Sequence, residues 1–147
     1  MHVEADRETY QPIMVEGFRP RDLGEIEARW RKALEAGDDL LVLEDDGRIV
    51  GLGHVGGAWM SALYILRSHH RRGFGQALLA ELCARARSRG ITEIGFQCVV
   101  ENVQALAFYE AQGARRVGRT TESEGATTWD EFVMSLPTDP AGASRDP

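Results

Sequence analysis

Apolar residues along the chain recur with two spacings, and each spacing predicts a different kind of element. Spacings of three and four positions predict helices over about 23–36, 74–89 and 103–112, and a weaker pattern at 1–14 is interpreted as a partial helix. Short apolar runs between turn residues predict strands at 40–44, 48–55, 59–66, 91–100, 115–121 and 127–136. Helices therefore precede a meander of strands, a strand–helix–strand–helix unit and a final hairpin.

This order predicts an α/β (α+β) fold in which helices flank a mixed, mostly antiparallel central sheet. The unit from 59 to 100 places a helix between two strands, and such a crossover is right-handed and pairs its strands in parallel. Asp45-Asp46-Gly47 predicts a tight hairpin turn, and 122–125 is expected to connect the last two strands. The apolar face expected for the helix at 23–36 consists of Leu23, Ile26, Trp30 and Leu34.

The predicted strand at 48–55 is unusual because it contains Gly51 and Gly53 and is followed by Gly56 and Gly57. Glycine weakens a strand, and it often marks a place where another backbone or a ligand approaches closely. The glycines therefore predict that either another backbone or a ligand lies close to this strand.

Length and composition indicate one soluble domain over 1–137, followed by a tail at 138–147 that is rich in proline and small residues and predicted to be disordered. The composition, with 43% hydrophobic and 27% charged residues, argues against fibrous and wholly disordered proteins. No apolar run reaches the roughly 20 residues of a membrane helix, and the first ten residues do not resemble a signal peptide. We therefore expect a cytoplasmic protein with no membrane partner.

Charge and cysteine content narrow the functional classes further. A formal net charge of -6 argues against a general nucleic-acid-binding protein. The two cysteines, Cys83 and Cys98, fit neither a disulfide framework nor a zinc spacing, so buried core thiols are expected. His69 and His70 are adjacent but lack a third ligand, and no metal site is predicted.

The segment 71–77 is the first candidate for ligand chemistry. It reads Arg-Arg-Gly-Phe-Gly-Gln-Ala and follows a predicted apolar strand at the point where a helix begins. Gly73 and Gly75 remove Cβ atoms, and the free amides of a helix start are donors suited to a phosphate. The segment lacks the pattern of a nucleotide P-loop or a dinucleotide-binding turn. A strand-to-helix turn without any ligand is the alternative that this segment alone leaves open.

The second candidate is the pair Asn102 and Tyr109. They are seven residues apart, nearly two turns, and therefore share one face of the predicted helix, with the small Ala105 between them. A face with an amide, a gap and a phenol can line a long ligand. A helix N-cap together with a core tyrosine is the simpler interpretation of the same residues.

Together the two candidates resemble the GNAT superfamily of acyl-CoA-dependent N-acyltransferases. The resemblance extends over 52–136, and its most specific parts are 62–66, 72–79 and the run from Asn102 through Ala105 and Tyr109 to Gly113. It implies a GNAT-like fold and an acetyl-CoA co-substrate, with direct attack of a primary amine on the thioester and no metal. The acceptor would be a small-molecule or peptide amine of unknown identity.

The resemblance also implies roles for individual residues. Tyr109 would be catalytic, protonating the leaving thiolate, which is reasonable for a phenol of ordinary pKa about 10. Asn102 would bind the pantetheine arm, which would lie along the strand edge at Leu63, Ile65 and Leu66, whose N–H groups could polarise the thioester carbonyl. The pyrophosphate would bind the backbone of Arg71, Arg72, Gly73, Phe74, Gly75, Gln76 and Ala77.

The sequence departs from the family pattern in three places. His70 stands where the family usually has Gln or Arg. Residues 1–14 resemble the family's first helix, so the family's first strand is expected to be missing. No carboxylate occupies the position, near Trp59, where some relatives carry a general base. His54, Glu101 and Asp130 are candidate bases, but each is more typical of a solvated surface group, and none is assigned.

Two further functional classes are left open beside an N-acetyltransferase. A non-catalytic module could keep the fold and its acyl-CoA affinity, and a purely structural domain would bind no cofactor. A homodimer, which would protect an exposed sheet edge, is also left open.

Overall fold

The computed structural model describes residues 23–139, which form a mixed sheet with helices on both faces. The elements are α1 (Leu23–Glu35), β1 (Asp39–Asp45), β2 (Arg48–Gly56), β3 (Trp59–Ile65), α2 (Phe74–Ser88), β4 (Glu93–Val99), α3 (Val103–Ala111), β5 (Arg115–Glu124) and β6 (Thr127–Pro137). A short 3-10 helix, Arg67–His69, precedes α2. The expected partial helix at 1–14 and the question of a first strand lie outside the described residues.

The sheet has six strands in the order β1-β2-β3-β4-β6-β5. Every neighbouring pair is antiparallel except β3 and β4, which the helix α2 connects as a parallel pair. The α/β (α+β) fold with a mixed, mostly antiparallel sheet is therefore confirmed.

The strands β3 and β4 are paired at one position only. Their single paired position joins Trp59 to Gly95, and the N–H of Gly95 donates to the carbonyl of Ala58 at 2.9 Å. By contrast, β4 pairs with β6 along its whole length, from Glu93 to Val99. Beyond the single bridge the sheet is open between its two halves.

The helices α1 and α2 cover opposite faces of β2. The side chains of Leu78 and Leu82 in α2 lie against Gly53, whereas the ring of Trp30 in α1 lies 5.3 Å from the ring of the next strand residue, His54. Successive strand residues point to opposite faces, which places the two helices on different sides. The larger core cluster lies on the α2 side and contains Leu79, Leu82 and Phe96.

Side chains of neighbouring segments approach the glycines of β2 closely. A Cβ atom at Gly53 would stand 2.6 Å from Cδ1 of Leu82, and one at Gly51 would stand 2.7 Å from Cδ1 of Ile65. At Gly56 the nearest atoms belong to the carboxylate of Asp38. A Cβ atom at any of these positions would therefore require a neighbouring side chain to shift.

The hairpin turn after β1 is confirmed, since Asp46 and Gly47 have φ angles of 53° and 76°. Positive φ at both central residues is what a two-residue type I′ turn requires. The predicted apolar face of α1 was wrong at Leu34, whose side chain is 60% exposed. Ala33, seven residues after the buried Ile26, occupies the inward position instead.

The C-terminal region differs from the sequence prediction in two details. β5 continues to Glu124, which pairs with Thr127, so the predicted connector at 122–125 was wrong for 122–124. Thr138 is 1% exposed; its N–H donates to Thr92 and its hydroxyl to Ile91. Ordered packing therefore extends one residue into the segment 138–147.

The two cysteines are buried and unbridged, as predicted. Burial raises the pKa of the Cys83 thiol and raises that of Cys98 to about 12. Both therefore stay protonated and behave as small apolar side chains. None of the helices within 23–139 combines the length and apolar character needed to cross a bilayer.

Candidate functional site

A cavity of about 730 Å³ occupies the opening between β3 and β4. Its walls come from β3, the turn and first residues of α2, the end of β4, and one face of α3. The single bridge at Trp59 explains why it exists, because the two strands separate beyond that point and no strand fills the space between them.

The turn before α2 presents backbone amides to this cavity. Gly73 has φ of 80° and its carbonyl accepts the first helical hydrogen bond, from the N–H of Ala77 at 3.0 Å. The preceding amides, at Phe74, Gly75 and Gln76, belong to the first turn and have no acceptor within the helix. These three residues line the cavity, which makes the helix start suited to an anion.

Gly75 and Gly73 differ in what their surroundings require. Gly73 needs its positive φ, which is unfavourable for residues with a side chain. At Gly75 no such angle is needed, and an added Cβ would meet Phe108 at 3.5 Å and Ile65 at 3.7 Å, which are ordinary contacts. Neither the backbone angle nor packing demands a glycine at this position, which lies on the cavity wall.

His70 holds the turn against the end of β3. Its Nε2–H donates to the carbonyl of Ile65 at 2.8 Å, and its side chain also lines the cavity. His69 instead bonds to Asp45 at 3.1 Å through Nε2. Among residues 23–139, no three His, Cys, Asp or Glu side chains are grouped so as to hold a metal ion.

The exposed edge of β3 consists of the amides of Leu63 and Ile65. The N–H of Leu66 donates to Val50 in β2 at 2.9 Å, and Tyr64 lies opposite Leu52 in the same register. Because amides alternate between the two neighbouring strands, those of Leu63 and Ile65 point the other way, towards β4. There they meet the cavity rather than a strand.

Three of the predicted cofactor-binding residues do not line the cavity. Leu66 is 2% exposed, and β2 already uses its amide. The guanidinium of Arg72 lies 3.6 Å from Asp45, and the amide of Ala77 is used within α2. The structure brings the other predicted residues together around the cavity: Leu63, Ile65, Arg71, Gly73, Phe74, Gly75, Gln76, Asn102 and Tyr109.

Asn102 both caps α3 and faces the cavity, so the two interpretations of this residue are compatible. Its Oδ1 accepts from the N–H of Ala105 at 3.3 Å, which leaves the amide NH₂ group as a donor. Ala105 lies between Asn102 and Tyr109 on the same cavity wall, as the spacing predicted.

Tyr109 is a core tyrosine and a cavity residue at once. Its ring packs against Phe96 and Phe108, and the residue also lines the cavity. Burial, with smaller contributions from Cys98 and Tyr64, raises the pKa of the phenol above its ordinary value. The hydroxyl is therefore a persistent hydrogen-bond donor.

The three candidate bases lie in different surroundings. Asp130 is bonded to Arg119 at 2.6 Å and to Thr121 at 2.8 Å; these contacts lower its pKa, and it does not line the cavity. Glu101 is exposed at the cavity rim, as expected for a solvated group. His54 is only 9% exposed, so interpreting it as a surface residue was wrong.

Sequence reasoning missed Ser61, which lines the cavity and is hydrogen-bonded to the buried His54. The pairing of β2 with β3 shifts here, with Val55 opposite Met60 and His54 opposite Ala62, so that Ser61 is the extra residue of a β-bulge. No pattern in the sequence marks the position of this bulge.

The chain matches the model of the Acetyltransferase (GNAT) family over residues 4–114. A comparison with curated protein sequences finds no match.

Solved structures of similar fold cover nearly the whole chain. A ribosomal-protein-alanine N-acetyltransferase from Brucella melitensis is 20% identical with a TM-score of 0.74, over 92% of this chain and 90% of that one. A putative acetyltransferase from Salmonella typhimurium, solved with its cofactor acetyl-CoA, is 18% identical with a TM-score of 0.73, over 93% and 85%. A phosphinothricin acetyltransferase from Sinorhizobium meliloti, in complex with acetyl-CoA, is 19% identical with a TM-score of 0.73, over 92% and 80%.

Proposed function

The chain belongs to the Acetyltransferase (GNAT) family, and on that premise we propose that it transfers an acetyl group from acetyl-CoA to a primary amine by direct attack. One observation carries the proposal. The free amides at the start of α2, the amides of Leu63 and Ile65, and the side chains of Asn102 and Tyr109 all line one cavity. This order of donors suits a ligand with a phosphate at one end and a thioester at the other.

The phosphate end of the ligand would lie at the first turn of α2. Arg71, Gly73, Phe74, Gly75 and Gln76 would surround the pyrophosphate, with backbone amides as the main donors. Each charge-assisted hydrogen bond of this kind contributes about 1.5–3 kcal/mol. Leu66, Arg72 and Ala77 have no part in this assignment.

The acyl arm would follow the open edge of β3. The amides of Leu63 and Ile65 would bond to the pantetheine and polarise the thioester carbonyl, because that edge has no strand to pair with. On the opposite wall, the NH₂ group of Asn102 would donate to a pantetheine carbonyl.

Tyr109 would act on the sulfur that leaves. Because its pKa is raised, the phenol is a weaker acid than an ordinary tyrosine. Its first effect would therefore be a hydrogen bond to the departing sulfur. Transfer of its proton follows as negative charge accumulates on that sulfur. The hydroxyl would therefore lower the barrier to C–S cleavage without binding the ground state more tightly.

The direct test combines binding and turnover on the intact protein. Isothermal titration should detect acetyl-CoA binding, and a thiol-release assay should detect turnover with at least one member of a panel of amino acids, peptides, polyamines and aminoglycosides. Binding without turnover on any amine would favour a non-catalytic acyl-CoA-binding module. No binding at millimolar acetyl-CoA would overturn the proposal altogether.

A further inference from the structure

Three polar side chains, Asp38, His54 and Ser61, form a hydrogen-bonded series that ends at the cavity. Nε2 of His54 lies 2.8 Å from Oδ2 of Asp38, and Nδ1 of the same ring is hydrogen-bonded to the hydroxyl of Ser61. Ser61 is the member that lines the cavity, while His54 is buried behind it. The cavity is therefore connected to a buried imidazole through one hydroxyl.

The direction of each hydrogen bond follows from the chemistry of the groups. An ionised carboxylate only accepts, so Nε2 of His54 carries the hydrogen that Asp38 receives. Nδ1 of the neutral ring is then an acceptor, and the hydroxyl of Ser61 must donate to it. A guanidinium nitrogen of Arg29 donates to the same hydroxyl oxygen at 3.0 Å, which leaves Ser61 with its proton directed at His54.

Four segments of the fold position these three hydrogen-bonded side chains. Asp38 belongs to the loop before β1, His54 to β2 and Ser61 to the bulge of β3, where a strand characteristically re-aims a side chain. From α1, the ring of Trp30 lies against His54, and Arg29 also donates to the carbonyl of Ser61 at 3.1 Å. Of the charged groups here, Asp38 is itself a member of the hydrogen-bonded series and Arg29 contacts its last member, Ser61.

We propose that the Asp38–His54–Ser61 chain removes the proton from the attacking amine, an inference that rests on the proposed acetyl transfer. Ser61 is its catalytic residue because it alone reaches the cavity, and His54 and Asp38 are positioning residues that act through it. No general base could be assigned from the sequence, and this relay, which begins at Ser61, would fill that role.

In the proposed step one proton leaves the amine and another reaches the departing sulfur. The amine nitrogen bonds to the acetyl carbon as the C–S bond breaks. The amine proton passes to Oγ of Ser61 while the serine proton passes to Nδ1 of His54. The imidazolium is stabilised by Asp38, and the sulfur receives the proton of Tyr109. Return of the proton from His54 to the tyrosinate through solvent regenerates both residues, so the net transfer is from amine to thiol.

The test uses the amine that the panel identifies as the best acceptor. Ser61→Ala and His54→Gln should each lower kcat about 10²–10³-fold at about pH 8, with the Kd for acetyl-CoA within twofold of wild type. A loss in kcat with an unchanged Kd is the signature of a missing proton acceptor, because a merely disturbed cavity would weaken acetyl-CoA binding as well. Ser88→Ala, at an exposed position of α2, is the matched control with wild-type kcat.

The outcomes separate the relay from the function on which it rests. A near-normal kcat in His54→Gln overturns the relay while acetyl transfer stands. A wild type that binds acetyl-CoA but acetylates no amine overturns the proposed function, and the relay with it. Mass spectrometry after incubation with acetyl-CoA alone would detect an acetyl ester on Ser61 if this serine were a nucleophile. Such an ester overturns the relay.

A second measurement uses the wild-type protein alone, so it needs neither an amine acceptor nor a substituted variant. Long-range 1H–15N NMR of the wild-type histidines reports which ring nitrogen carries the hydrogen. The relay requires hydrogen on Nε2 and a lone pair on Nδ1 of His54. The opposite tautomer, with hydrogen on Nδ1, overturns it.

Discussion

The ring of Tyr109 lies against the ring of Phe96, with centroids 4.5 Å apart and planes inclined by 52°. A second ring, that of Phe108, meets it edge-on at 5.4 Å. The core therefore fixes the direction of the phenol without using its hydroxyl, and a phenylalanine at this position keeps the packing while losing only the O–H.

Tyr109→Phe should lower kcat by roughly 10–1,000-fold and change the Kd for acetyl-CoA by less than threefold. The loss arises because the leaving sulfur would no longer receive a hydrogen bond or proton. Steady-state kinetics and calorimetry on the same preparation measure the two effects. Unchanged kcat would remove the hydroxyl from the chemistry, and a thermal midpoint far below wild type would show that the ring contacts had not been preserved.

Gly75→Trp should abolish acetyl-CoA binding, because a large side chain on the cavity wall beside Phe108 and Ile65 would fill the space at the start of α2. Gly75→Ala is the matched folding control. It should leave the free energy of unfolding unchanged or raise it by up to about 1 kcal/mol, since alanine favours helix and the added Cβ fits. Wild-type affinity in the tryptophan variant would show that no ligand occupies this turn.

Gly53→Ala should destabilise the fold by about 1–3 kcal/mol, because its Cβ would stand 2.6 Å from Leu82 in the core. Urea unfolding measures the change, and Gly118→Ala, where an added Cβ meets Val133 at an ordinary 3.6 Å, is the control. Equal stability of the two variants would mean that α2 can move away from β2 at little cost.

Glu131→Gln should raise the thermal midpoint at about pH 7 by about 1–3 °C. Burial and then the nearby Glu122 raise the pKa of the Glu131 carboxyl, opposed by a hydrogen bond from Trp129. The folded state thus binds this proton more tightly than the unfolded state, so the ionised carboxylate costs stability above its folded pKa. As the pH falls through that pKa, the wild type should gain on the variant until the difference disappears.

Glu124→Gln, on an exposed position of the same hairpin, is the charge-matched control for this measurement. A midpoint difference for Glu131→Gln that persists unchanged below about pH 4 would show that packing rather than ionisation is responsible.

Local signals predicted the features that depend on neighbouring residues. Asp46 and Gly47 specify their turn by backbone conformation, and Asn102 and Tyr109 share a wall because helical geometry leaves no alternative. The same reasoning failed for Leu34, since spacing alone did not show whether it or Ala33 faces the sheet.

Features that depend on distant segments were not predictable. His54 is buried because Trp30 and Asp38, far apart from it in sequence, come to lie beside it, and polar residue type had indicated a surface position. Ser61 reaches the cavity through a shift in strand register, which is a property of two paired strands rather than of either sequence. For the same reason, the sequence did not show that the amide of Leu66 is hydrogen-bonded to β2.

The cavity between β3 and β4 is lined by residues from both sides of the sheet. Phe74 and Gly75 line it on the side of α2, whereas Ser61 lines it on the side where Arg29 of α1 lies. For the proposed acetyl transfer we therefore expect the donor and the acceptor to approach from opposite faces and to be bound at the same time. Initial-rate plots against both substrates should then intersect instead of running parallel, the kinetic signature of a ternary complex.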